Sequence, residues 1–271
     1  MLMSLNPSSR DWSLAVRDFV KGIGAWQIWV LLGISDIRLR YKRSRFGQFW
    51  ITLSMAVFVA GIGTVYSFLF NQNVSDYIPY LTVNFILWTF ISGVVSDSTT
   101  AFVQGAVFLK QENLPKSIFV MRIIVRNVIA LLHNIVIIPI VFIIFGVVPS
   151  WTAVLFIPGM VLTLVASFLV IMLCGILSTR FRDLPQIVTN LLQLAFFITP
   201  VMWRADQLKG QAWYVTHLNP FAIFLRVVSE PLHGRVPDLY DYVASVIVIV
   251  LMALVTWPLF ARFRARIVYW L

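Results

Sequence analysis

Hydrophobic positions in this 271-residue chain fall in long runs separated by short charged clusters, and the run lengths set the predicted elements. Gly47 to about Phe70, bounded by Arg45 and by Asn71-Gln72-Asn73, is the first run long enough for a bilayer core that takes about 20 apolar residues. Tyr77 to about Leu109 is the second, broken only by Asp97. It is too long for an untilted span, so its cytoplasmic end is expected to project past the bilayer. Uncharged sequence continues from Arg126 to Thr179, enough for spans three and four, with Gly146-Val147-Val148-Pro149-Ser150 as the turn. Leu184 to Trp203 and Tyr242 to Ala261 supply spans five and six. The pattern predicts an all-α integral membrane protein with six transmembrane helices in one domain, residues 1–271. Residues 1–46 form a cytoplasmic or interfacial segment, 47–261 hold the spans, and 262–271 form a cytoplasmic tail.

Shorter patterns flank these runs. Ser8 and Asp11 predict a helix start of the capping-box kind, with Asp in place of Glu. Trp12, Ala15, Val16, Phe19, Val20 and Ile23 then recur at helical spacing, with Arg17 and Lys21 off the stripe. An amphipathic helix lying in the membrane surface fits this pattern, and so does a helix packed on a soluble partner. Fourteen uncharged residues between Lys21 and Asp36 cover roughly 20 Å as a helix, so they are expected to be interfacial or re-entrant. In the loop from Arg204 to Asp241, residues 210–225 carry no charge and are broken by Asn219-Pro220. This stretch predicts either two short re-entrant-like helices before the last span or a surface-packed loop.

Composition agrees: 60% of positions are hydrophobic and 12% charged. A net charge of +10 could suggest nucleic acid, but the distribution argues otherwise. With the predicted spans in place, 17 of the 21 Lys and Arg fall on the side of both termini, and only Arg204, Lys209, Arg226 and Arg235 on the other. That is the positive-inside pattern, so both termini are expected in the cytoplasm and no nucleic acid is required. The lone Cys174 cannot form an intrachain disulfide, and the charged first twenty-one residues lack the apolar core of a signal peptide.

Enzymatic constellations are not found. There is no phosphate-binding Gly-x-x-x-x-Gly-Lys-[Ser/Thr] loop and no Gly-x-Ser-x-Gly elbow, and His133, His217 and His233 lack ligand-spaced partners, so neither a catalytic group nor a metal site is expected. Asp97 is the one carboxylate at membrane depth, a functional candidate or a hydrogen-bonded carboxylate near a helix end. Aromatic residues gather in spans one, two and five, as interfacial belt residues or as stacking platforms for sugar rings. The links Leu109–Ser117 and Ser178–Pro185 mix charge with Leu and Pro, as either plain connectors or docking elements would.

Taken in order, these parts resemble the membrane subunits of type-2 ABC exporters of polysaccharides, the O-antigen permeases, with capsule and teichoic-acid permeases as relatives. The resemblance spans nearly the whole chain. It rests on Asp36-Ile37-Arg38-Leu39-Arg40-Tyr41-Lys42-Arg43-Ser44 leading to Phe46-Gly47-Gln48-Phe49-Trp50, and on Lys110-Gln111-Glu112-Asn113-Leu114-Pro115-Lys116. Thr179-Arg180-Phe181-Arg182-Asp183-Leu184-Pro185, Thr199-Pro200-Val201-Met202 and Leu218-Asn219-Pro220-Phe221 complete it. It implies a homodimer in the cytoplasmic (inner) membrane paired with a separate ABC ATPase subunit that carries ATP and Mg, and no cofactor in this chain. The implied ATPase contact is Lys110, Gln111, Glu112, Asn113, Leu114, Pro115, Lys116 and Ser117, with a lesser one after Arg180. Implied channel residues are Tyr66, Phe70, Trp88, Phe196, Phe197 and Trp203. The implied cargo is a polysaccharide on undecaprenyl diphosphate, with Arg38, Arg40, Lys42, Arg43 and Arg45 placed to meet the diphosphate among membrane lipids. An enzyme acting on polyprenyl-linked sugars would need paired carboxylates or a metal site, and a secondary transporter would show an internal repeat; neither is evident.

Overall fold

The computed structural model describes residues 7–42, 44–112, 114–205 and 212–271, and these are helical with connecting turns. Among the described residues five helical segments are long and apolar enough to cross a membrane: Phe49–Leu69, Val74–Ser98, Ser117–Phe145, Trp151–Arg180 and Leu239–Phe263. The fifth predicted run forms only Leu184–Ile198, about 22 Å of helix at 1.5 Å per residue, shorter than a hydrocarbon core. Thr199 takes an extended conformation ahead of Pro200 and ends it there.

Helix α4 (Val74–Ser98) is the centre of the bundle, flanked by α3 (Phe49–Leu69), α6 (Ser117–Ile135), α7 (Ile137–Phe145) and α8 (Phe156–Arg180). Fourteen of its 25 residues are buried, against four of 21 in α3 and five of 25 in α12 (Leu239–Phe263), which makes the last two peripheral. The predicted long second span is corrected. After Ser98 the chain turns through residues 99–105 before the short α5 (Ala106–Gln111). Ser98, Thr99 and Thr100 each donate to the carbonyl three residues back, competing with continuation of the helix.

The third span also starts earlier than expected, at Ser117 rather than after Arg126. Its cap comes from another helix. Asp18, in α1 (Ser9–Gly24), accepts from the backbone N–H groups of Lys116 and Ser117 at 3.1 Å each and from Ser117 Oγ at 2.7 Å. Arg264, just past α12, reaches the same carboxylate at 3.3 Å. Gly22 allows the approach, since a Cβ there would collide with the Ser117 side chain. The α1 start has the predicted capping box, and its Asp11–Ser8 bonds hold the Asp11 carboxyl below the usual range. Ala15, Asp18 and Gly22 face the protein while Trp12, Val16, Val20 and Ile23 lie exposed on the opposite stripe.

The basic elbow is helical at its start. Helix α2 (Trp26–Tyr41) carries Arg38 and Arg40 in its last turn and lies along α6. Asp36 accepts from Arg122 Nε at 2.7 Å and from Nη2 at 2.5 Å, and Arg126 lies 3.5 Å away. Arg126 also pairs with Asp97 at 2.8 Å and donates to Gln104 at 3.0 Å, and Asn127 donates to Asp97 at 3.0 Å. This ladder joins α2, α4, the turns after α4, and α6.

At the opposite end, α10 (Ala212–His217) and α11 (Pro220–Ser229) are the expected short helices before the last span. Asn219 caps α11 by accepting from Phe221 N–H, and its amide donates to Thr199 Oγ1 at 3.0 Å. Arg226 makes a forked pair with Asp241 and donates to the Thr216 carbonyl. His233 stacks on Tyr80 with ring centroids 5.1 Å apart. Burial, helped by Arg235 and Arg204, pushes its pKa down to about 4.

Asp36→Asn is expected to lower the melting temperature of the detergent-solubilised chain by several degrees, because a buried arginine stripped of its partner costs about 3–5 kcal/mol. The apolar pair Asp36→Leu with Arg122→Met should recover most of that loss, and a single variant as stable as wild type would refute the ladder's role. His233 gives a second test. An unfolded histidine takes its proton near pH 6.5 and the folded one only near 4, so its contribution is complete above about 6.5 and lost as pH falls towards 4. Melting of wild type against His233→Gln should show the gap narrowing on acidification; a gap independent of pH contradicts this.

Candidate functional site

Between α4 and α9 (Leu184–Ile198) runs an open groove of about 720 Å³. Trp88, Phe196 and Phe197 line one part of it. Thr89, Ser92 and Ser96 line it from α4 at i, i+3 and i+7, with Thr189 and Gln193 facing them from α9 at i and i+4. Both patterns put polar groups on one helical face. Among the described residues no charged side chain lines the groove.

The hydroxyl protons of Thr89, Ser92 and Thr189 are held within the helices. Thr89 donates to the Phe85 carbonyl at 2.8 Å and Thr189 to Pro185 at 2.9 Å, which leaves their oxygens as acceptors towards the groove. Gln186 and Asn190 are linked at 3.2 Å, so a stripe of Gln186, Thr189, Asn190 and Gln193 follows α9. Only Val188 of this helix is buried. An amide and hydroxyl stripe on an otherwise unpacked apolar helix is costly against lipid and suited to a polar path. The aromatic wall continues inward: Phe196 meets Trp88 at 5.7 Å and Phe85 at 6.2 Å, and Phe85 stacks on Phe58 at 4.3 Å. Aromatic faces beside hydroxyl and amide groups suit a neutral, hydroxyl-rich chain better than a small ion.

Of the six expected channel residues, the structure brings Trp88, Phe196 and Phe197 together. Tyr66 and Phe70 pack instead towards Tyr77, and Trp203 lies past the end of α9, donating to the Phe197 carbonyl at 3.1 Å. Ser92, Ser96, Thr189 and Gln193 were not among the expected residues, although their helical spacing inside apolar runs is a readable signal. Among the link residues, Lys110, Gln111 and Glu112 are exposed and Leu114 and Pro115 half-buried. Lys116 and Ser117 differ from the rest of the link: both are buried, and their backbone N–H groups are held by Asp18. Arg38, Arg40, Lys42 and Arg45 of the elbow are exposed, while Asn113 and Arg43 lie outside the described residues. Asp97 is the partner of Arg126 and Asn127, a structural role.

Residues 27–232 match the family model described as ABC-2 type transporter. Two proteins of Klebsiella pneumoniae, each named O-antigen export system permease protein RfbA, are 23% and 22% identical to this chain. The first match covers 71% of this chain and 75% of the relative, the second 79% and 83%. A protein of the same name from Myxococcus xanthus is 22% identical over 85% of this chain and 89% of its own length. With a family match that takes in α2 through α11 and both walls of the groove, this chain belongs to the ABC-2 type transporter family.

Proposed function

We propose that this protein is the permease subunit of an ABC exporter that moves lipid-linked polysaccharide of the O-antigen type outward across the cytoplasmic membrane. The observation that carries the reading is the uncharged α4–α9 groove, aromatic in one part and lined with hydroxyl and amide groups in the rest. A glycan sliding through needs weak, repeated contacts, and such a surface supplies them without binding any one sugar tightly.

In this reading two copies of the chain face each other. The half-groove closes when α9 and the exposed face of α3 meet their counterparts, which covers two sparsely buried helices. The basic end, where α1, α5 and Arg264 lie, is cytoplasmic under the positive-inside rule, and both termini are there. Six crossings follow if α9 is counted with the five long spans. Energy comes from a separate ABC ATPase, docked on the exposed Lys110 and Gln111 of α5 and on Glu112 just after it. The elbow cations Arg38, Arg40, Lys42 and Arg45 meet the undecaprenyl diphosphate at the inner leaflet, where charge-assisted hydrogen bonds to phosphate are strong. Chemistry on ATP belongs to the partner, and this chain positions, encloses and releases.

Gln193→Leu combined with Thr189→Leu should reduce surface polysaccharide at least tenfold in cells carrying the variant, with membrane level and ATPase association unchanged. Normal export from that variant would remove the groove from the pathway. Glu112→Lys should weaken recovery of the ATPase subunit in pull-downs of the complex and lower its ATP hydrolysis. Unchanged recovery would place the docking surface elsewhere.

A further inference from the structure

At the basic end, away from the groove, a cavity of about 360 Å³ opens between α1, the link Leu114–Lys116 and Arg264. Its charged lining is Arg17, Lys21, Lys116 and Arg264 against the single carboxylate of Asp18. That carboxylate is already engaged by two backbone N–H groups, the Ser117 hydroxyl and Arg264, which leaves the cations in clear excess.

Lys116 makes the excess specific. Its side chain is drawn inward, with 6% of the residue exposed. Its Nζ donates to the Leu114 carbonyl at 3.3 Å, and no carboxylate lies within ion-pair reach of it among the described residues. An ammonium group carries three donors, so this buried cation is under-satisfied. Burial lowers its pKa and Arg264 adds to that, with Asp18 opposing. An anion in the cavity would relieve the strain on both cations.

Depth in the membrane identifies the anion. The outer stripe of α1, Trp12, Val16, Val20 and Ile23, is exposed and apolar, whereas Arg17 and Lys21 lie one turn apart beside the cavity. A helix with that division lies at the boundary of headgroups and acyl chains. The cavity mouth is therefore level with lipid phosphates, and basic pockets on the cytoplasmic side of helical bundles suit anionic headgroups. We infer that the cavity bounded by Arg17, Lys21, Lys116 and Arg264 is a binding site for the phosphate of an anionic phospholipid, holding α1 to the bundle. This site is distinct from the elbow and the groove and does not depend on which cargo the protein carries.

The test uses the purified full chain in mild detergent and follows thermal unfolding with added phosphatidylglycerol, phosphatidylcholine or inorganic phosphate. Phosphatidylglycerol should raise the melting temperature of wild type and the other two should not, because a ligand of the folded state stabilises it by mass action. Arg17→Gln with Lys21→Gln, both exposed, should lose more than half of that rise. Arg10→Gln with Arg235→Gln, two exposed cations that do not line the cavity, removes equal charge and should keep it. Equal rises in wild type and the Arg17/Lys21 variant overturn the site, as does equal loss in the Arg10/Arg235 variant. A rise with inorganic phosphate matching that with phosphatidylglycerol overturns the lipid assignment in favour of a free-anion site. A variant that keeps the lipid response but no longer co-purifies with the ATPase overturns it in favour of a protein socket.

Discussion

Two arginines of α6, Arg122 and Arg126, are the constraint around which the basic end is arranged. Both lie within an apolar helix, with 12% of the Arg122 side chain and 7% of the Arg126 side chain exposed. Each must be met by a carboxylate from a different part of the chain, Asp36 from α2 and Asp97 from α4. That requirement fixes the height and rotation of three helices at once. Apolar contacts in a lipid-exposed bundle are weakly directional, because lipid tails compete for the same surfaces. Paired charges remove that freedom, and the elbow after α2 is held at a defined level as a result.

The molecule divides into a packed part and an open part. Helices α4, α6, α8 and α11 form the dense core, closed at one end by the Arg226–Asp241 fork and at the other by the Arg122 and Arg126 pairs. Helix α9 stands apart, with one buried residue and a polar stripe along an exposed face. A rigid scaffold beside a sparsely packed wall suits a path that must admit a long chain, since the wall can shift without breaking core contacts.

Much of this organisation was legible in the run lengths. The first, fourth and last long helices follow their apolar runs closely, and the short helices before α12 follow the Asn219-Pro220 break. What escaped was decided by distant residues. The start of α6 depends on a carboxylate 98 positions earlier in sequence, and no local pattern at Lys116 announces that cap. Arg122 and Arg126 look like a charged loop until Asp36 and Asp97 are known to face them. In α9 the polar spacing was present but hidden by a run apolar on average. Of the expected aromatic set, the members brought together are those where α4 and α9 adjoin, because the inward or outward direction of a ring depends on helix rotation.

Asp18 and Arg264 are 246 positions apart in sequence yet close the same corner of the molecule. During synthesis the amides at the head of α6 are available to Asp18 long before its cationic partner has been made. The carboxylate therefore spends most of biogenesis held by amides alone, and the corner acquires its ionic lock only after the α12 segment is threaded into the bilayer. Chains stopped short of that point lack the Arg264 partner of Asp18, and the corner is held by the amides alone.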